Sequence, residues 1–364
     1  MKFNWNYPTT VWVGEDRVND LGEACINLKI TKPLFVTDKD LINLPFIQEI
    51  INEIKKRFHQ LKIYSDFSGN PIGENVDDGV NEFKKNNCDG VIAIGGGSAL
   101  DVGKAIAFMS GQNRSIWDFE DIGDYWTRVD TSAMVPCVAV PTTSGTGSEV
   151  GRCSVIVQEE EKRKVIIFHP GMLPSRVIAD PALTESLPAS VTAAVGMDAL
   201  SHNLEAFCAP GYHPQADGIA LEGMKLIHRS LIAAFTDGTD INSRADMMAA
   251  SLMGATAFQK GLGAMHALSH PLGAYLDVHH GLANAIVMPY VLERNRSSID
   301  ERMTDLARYL GLAGEGTSAI IDWVLELRTK LGIPHSLEAV GFEEKHCAML
   351  ASEAVKDAAA GGNP

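Results

Sequence analysis

Short apolar runs alternate with longer amphipathic stretches over the first half of the chain. The segments PLFVTD, LKIYSDF, GVIAI, VPCVAVP and SRVIADP read as strands, several apolar enough to be buried on both faces. Between the early ones, residues 21–28, 45–58 and 75–86 carry the apolar spacing of helices. Strand alternating with helix is the pattern of a parallel sheet covered on both sides. Residues 3–13 alternate loosely and are rich in aromatic and β-branched side chains, which predicts one or two short strands around Pro8. Residues 153–158 and 165–168 read as a strand pair joined by the charged turn EEEKRK.

The texture changes near residues 183–188. Beyond them the patterns are long, helical and rich in Ala, Leu and Met: 189–207, 216–235, 243–259, 283–294, 298–310, 317–330 and 343–359. This predicts two domains, an α/β domain over residues 1–185 and an all-helical domain over residues 186–364.

Candidate chemistry sharpens that division. The strand GVIAI runs into GGGSALDVGKAIAFM, three glycines opening a helix. Backbone N–H groups there can approach an anion at the helix N-terminus, although a tight turn alone also uses such glycines. Asp101 and Lys104 lie on the first turns of that helix. The strand VPCVAVP ends in TTSGTGSEV, in which seven of nine residues are Thr, Ser or Gly, a second supply of hydroxyls and mobile backbone donors. Asp38 closes an earlier strand, where a carboxylate suits ribose hydroxyls in a dinucleotide site and equally suits an N-cap. The α/β half therefore reads as a Rossmann-like dinucleotide-binding domain.

In the helical half, HALSHPLGAYLDVHH places four histidines in fifteen positions of a chain that has eleven. His266 and His270 are four apart and share a helix face, Pro271 should end or bend that helix, and a turn between Gly273 and Gly281 would return His279 or His280 to the first pair. Upstream, GMDALSHNLEAF sets Asp198 and His202 four apart. One carboxylate and several imidazoles from two segments make an N/O site for a borderline divalent metal, with iron(II), zinc and manganese all accepted. Such a metal would face the nucleotide loops across a cleft.

Composition narrows the partners. The formal net charge is −15, which disfavours nucleic acid and anionic membranes. Six cysteines without regular spacing read as reduced thiols of a cytoplasmic protein. The N-terminal MKFNWNYPTT lacks the apolar core of a signal peptide, and the most apolar stretch, residues 90–109, is broken by Asp101 and Lys104.

GGGSALDVGK, PTTSGTGSE, GMDALSH and HALSHPLGAYLDVHHGLANA, in that order over nearly the whole chain, resemble the iron-containing (group III) alcohol dehydrogenases, and within them the lactaldehyde reductase and 1,3-propanediol dehydrogenase type. The resemblance implies the dehydroquinate synthase-like fold, with an N-terminal α/β domain and an all-α C-terminal domain. It implies metal ligands at Asp198, His202, His266 and His280, leaving His279 outside the ligand set, and a histidine beside the nicotinamide at His270. It implies NAD contacts at Asp38, Asn70, Gly96, Gly97, Ser98, Asp101, Thr142, Thr143, Thr146, Val155 and Lys164. Asp38 would repel a 2′-phosphate, favouring NAD over NADP. Iron(II) comes from the resemblance alone, since affinity favours zinc. Relatives are usually homodimers. Two departures stand out: His169, where relatives carry a small residue, and GGNP, beyond which relatives continue into a short final helix.

The expected activity is hydride transfer between NAD(H) and a small alcohol or aldehyde, with the metal polarising the substrate oxygen and His270 carrying the proton. The alternatives are a glycerol dehydrogenase-like polyol enzyme or a dehydroquinate synthase-like lyase of the same superfamily, and a non-catalytic NAD- or metal-binding sensor.

Overall fold

A computed structural model describes residues 9–161 and 163–364. The expected strand content of residues 3–8 lies outside the described residues; of the remainder of that segment, Val11–Val13 form β1.

The first compact unit comprises residues 9–143 and 148–184. After β1 it runs α1 (Leu21–Asn27), β2 (Pro33–Val36), α2 (Pro45–Arg57), β3 (Lys62–Tyr64), α3 (Gly73–Lys85), β4 (Gly90–Gly95), α4 (Gly97–Met109), β5 (Cys137–Pro141), β6 (Cys153–Gln158), β7 (Arg163–Phe168) and β8 (Arg176–Ala179). Six strands form one parallel sheet in the order β1-β8-β5-β4-β2-β3, and β6 and β7 pair antiparallel apart from it. The alternation of the sequence is thus realised as a doubly covered parallel sheet. Its central strands are buried along their length, β2, β4 and β5 presenting no solvent-facing side, as their unbroken apolar runs require. α2 shows the opposite texture: Ile47, Ile50, Ile51 and Ile54 face the core, while Lys55, Lys56 and Arg57 close the last turn, where the helix dipole favours cations.

The second unit comprises residues 144–147 and 185–364. It contains α5 (Ala189–Cys208), α6 (Pro214–Thr236), α7 (Ile241–Ala257), α8 (Ala264–Leu276), α9 (His280–Leu310), α10 (Gly316–Lys330) and α11 (Cys347–Lys356), with no strand among its described residues. One large apolar core, built mainly of Ala, Leu, Ile, Val and Met side chains, draws on all seven helices. Residues 144–147 pack with this unit, and the Gly145 carbonyl bonds His202 of α5 at 3.2 Å.

Three expectations change. α8 does not end at Pro271 but continues to Leu276, with Pro271 and Leu272 both buried. An interior proline costs roughly 3 kcal/mol, and packing of this turn offsets it. The stretches 283–294 and 298–310 form the one helix α9, because no glycine or proline separates them and the buried series Val291, Leu292, Asn295, Ile299 and Met303 keeps helical spacing across the join. α11 is shorter than 343–359, with 3-10 turns on either side of it. Among the described residues no helix is long and apolar enough to cross a membrane.

Candidate active site

α5 carries Asp198, His202 and Glu205 on one buried face. α8 contributes His266, and α9 begins at His280 and brings Asn284 one turn later. One ligand atom each from Asp198, His202 and His266 lies within 4.8 Å of the others, and all three residues are buried. His280 Nε2 stands 3.6 Å from Asp198 Oδ1. The approach of α9 to α5 depends on Gly281: a Cβ there would sit 2.2 Å from the Ala194 carbonyl oxygen and 3.0 Å from Asp198 Cβ. The structure therefore brings together all four residues singled out by the sequence. His279, the open alternative, is the exposed residue preceding α9.

Each imidazole is anchored through Nδ1. His202 Nδ1 meets the Gly145 carbonyl at 3.2 Å, His266 Nδ1 meets Glu205 Oε2 at 2.6 Å, and His280 Nδ1 meets Ser269 Oγ at 3.3 Å. Ser269 Oγ donates to the His266 carbonyl, so towards His280 it accepts. A ring that donates from Nδ1 presents the lone pair of Nε2, the form a metal requires. Asn284 Nδ2 donates to Asp198 Oδ1 at 3.0 Å and lies 3.2 Å from His280 Nε2 and 3.4 Å from His266 Nε2, so Nε2 of both rings and the carboxylate surround one point.

Electrostatics separate the rings. Burial pushes the His202 pKa down to about 4, which keeps it neutral. For His266 burial also works against the charged form, but the Glu205, Asp198 and Asp357 carboxylates together outweigh it and the pKa moves up. This donor set, one carboxylate and three imidazoles with their second nitrogens held, fits a divalent ion of the iron, zinc or manganese kind.

His270 is one turn beyond His266 on α8 and stacks against His280, with ring centroids 5.3 Å apart. Its Nδ1 lies 2.8 Å from Asp357 Oδ2 in the turn after α11. Asp357 escaped the sequence reading, since nothing in its spacing marks it. Glu205 and Asn284 were also missed, although each lies three or four residues beyond a histidine of the site and so on the same helix face.

In the first unit the glycine loop follows β4. Gly95 has φ +146°, and a Cβ there would meet Ala99 Cβ at 2.6 Å, so only glycine makes this turn. Gly96, Gly97 and Ser98 open α4, whose N-terminus has no side-chain cap and offers its amides to an anion. Asp38 and Thr143 adjoin the same turn, and Thr142 N donates to the Gly95 carbonyl at 3.0 Å. These features fit a pyrophosphate. Both readings of Asp38 are compatible: Oδ1 caps the turn at Asp40 and Leu41, and burial raises the carboxyl pKa despite those amides.

Asp101 accepts from Ser148 Oγ at 2.6 Å and from Val155 N at 2.9 Å, fixing β6 to α4. Lys164 lies on β7 opposite Val157, whose amide bonds the carbonyl of Pro71, next to Asn70. Asn70 takes a left-handed conformation at φ 53°. Thr146 belongs to the stretch grouped with the helical unit. His169 has a structural place: its Nδ1 accepts from Gly171 N at 2.9 Å, its ring lies against Phe108 and Trp126, and burial lowers its pKa.

Comparison with known families matches the iron-containing alcohol dehydrogenases over residues 8–181 and the C-terminal domain of the Fe-containing alcohol dehydrogenase family over residues 192–364. The chain belongs to the iron-containing alcohol dehydrogenase family, and is an oxidoreductase of that class. It is 37% identical to a 4-hydroxybutyrate dehydrogenase of Cupriavidus necator, over 93% of this chain and 89% of that one. A 1,3-propanediol oxidoreductase structure superposes with a TM-score of 0.94 at 33% identity, covering 100% of this chain and 96% of the other. A sulfoacetaldehyde reductase from Bifidobacterium kashiwanohense, solved in complex with NAD+, gives 0.91 at 30% identity, covering 100% and 95%.

Proposed function

We propose that this protein is a metal-dependent, NAD-linked alcohol dehydrogenase or aldehyde reductase for small alcohols and aldehydes. The observation that carries the reading is the anchoring of three imidazoles through Nδ1 around the buried Asp198 carboxylate. Asp198, His202, His266 and His280 hold the ion, which we take to be iron(II) on family membership, with zinc and manganese admitted by the donor set. Asp38, Asn70, Gly96, Gly97, Ser98, Asp101, Thr142, Thr143, Thr146, Val155 and Lys164 form the NAD site, a reading supported by the glycine turn before α4. A homodimer in the cytoplasm completes it, by analogy with the family and from the irregular spacing of the six cysteines.

When bound, the ion supplies a Lewis acid for the substrate oxygen and NAD supplies the hydride acceptor at C4. The protein's own groups do the rest. The site is buried, so charge developing on the substrate oxygen is felt strongly. His270 donates from Nδ1 to Asp357, which leaves Nε2 to accept the alcohol proton, directly or through the ribose hydroxyls, and pass it to solvent. In oxidation His270 would take up the alcohol proton, and in reduction it would supply one.

The test is anaerobic removal of metal, reconstitution with iron(II), zinc or manganese, and a panel of alcohols and aldehydes followed at the NADH absorbance with NAD and NADP. His266→Ala should lose metal and turnover together. Full activity in a metal-free His266→Ala protein would sink the reading.

A further inference from the structure

We infer that Glu205 is a positioning residue: it fixes the tautomer of His266 and thereby the grip of the site on a divalent ion. This rests on the metal-site reading above. Glu205 is only 5% exposed, one turn beyond His202 on α5. Burying a carboxylate is costly unless its oxygens are satisfied, and here both are. Oε2 meets His266 Nδ1 at 2.6 Å, and Oε1 accepts from Met265 N at 2.6 Å, in the first turn of α8.

Both partners are donors. An ionised carboxylate answers two donors at once, whereas the isosteric glutamine has one acceptor and one donor. With its oxygen kept on Met265 N, a glutamine would turn its NH2 towards His266 Nδ1. That nitrogen must then accept, and the ring proton moves to Nε2, the atom needed for the metal. With the amide reversed, two N–H groups oppose each other at the start of α8. The first arrangement abolishes the ligating form of the ring; the second keeps it only by setting an NH2 against the Met265 N–H. Charge argues in the same direction. Glu205 and Asp198 bring two negative charges to one buried site, 5% and 2% exposed, which a divalent cation offsets. A mere staple between α5 and α8 would explain the Met265 bond, but not a carboxylate oxygen directed at the far side of a ligating ring.

The experiment compares wild type, E205Q and E205D. Co(II) binding is followed by its visible bands, and Zn(II) affinity by chelator competition. NAD binding and far-UV circular dichroism report folding. Affinity should fall about 10–100-fold in E205Q with a changed Co(II) spectrum, the size expected when a metal-bound histidine loses its carboxylate partner. E205D, which keeps charge and acceptors, should recover part of that loss. E205Q binding Co(II) as tightly as wild type, with the same spectrum, overturns the role of Glu205 alone. Wild type that binds neither metal overturns the metal reading and this inference with it. Should E205Q not fold, 15N spectra of the Zn(II)-loaded wild type decide: a protonated Nδ1 on His266 supports the inference, and an Nδ1 bound to zinc overturns it.

Discussion

His270 Nδ1 lies 2.8 Å from Asp357 Oδ2, so the ring proposed to move the substrate proton is held by a carboxylate 87 residues away in sequence. The other oxygen of Asp357 caps its own turn through Ala359 N at 2.8 Å. D357N can keep that cap while presenting an NH2 to His270, which forces the ring proton onto Nε2. We expect D357N to lower kcat by about 10–100-fold and His270→Ala by about 100-fold or more, within the usual worth of a general base. Bound metal, measured by elemental analysis, should be unchanged in D357N.

Asp38 combines a cap with the proposed ribose contact. Asp38→Ser retains a hydroxyl able to cap the turn and removes the charge that opposes a 2′-phosphate. The ratio of kcat/KM for NADP to that for NAD should rise by about tenfold or more. An unaltered ratio would remove Asp38 from the specificity of the site.

Gly281 keeps α9 against α5. Gly281→Ala places a methyl 2.2 Å from the Ala194 carbonyl oxygen, and the helices must part. Overpacking of this kind costs about 1–3 kcal/mol. A lower denaturant midpoint should be accompanied by reduced metal content, because His280 is the residue immediately before it.

Glu149 is fully buried, its Oε1 has no hydrogen-bond partner, and burial raises its pKa to about 7 despite Lys104 nearby. The folded protein therefore holds a proton that the unfolded chain releases near pH 4.5. The associated stability is present in full below that pH and is lost as pH rises through about 7. Glu149→Gln should flatten this part of the melting temperature against pH profile and raise the melting temperature above pH 7. A profile identical to wild type would show that Glu149 does not titrate in this range.

What could be read from the sequence is what lies within a single element or its immediate turn. Apolar periodicity gave the parallel sheet and the helical half, because a strand or helix repeats its buried face at fixed spacing. The glycines after β4 announced the tight turn that opens α4 for the same local reason. Asp198 and His202, and His266 and His270, were legible as pairs, since residues four apart on a helix are neighbours. By that rule Glu205 and Asn284 were legible too.

Tertiary packing decided the rest. Pro271, expected to end or bend α8, does not end it, since the helix runs on through a buried turn to Leu276, and α9 absorbed two expected helices. The orientation of each imidazole is set by Gly145, Glu205 and Ser269, all three outside the element of the ring they bond. The pairing of His270 with Asp357 depends on where the chain after α11 comes to rest. Spacing along a helix dictates which side chains share a face, but not what the opposing surface offers them, and the chemistry of this site resides in those opposing groups.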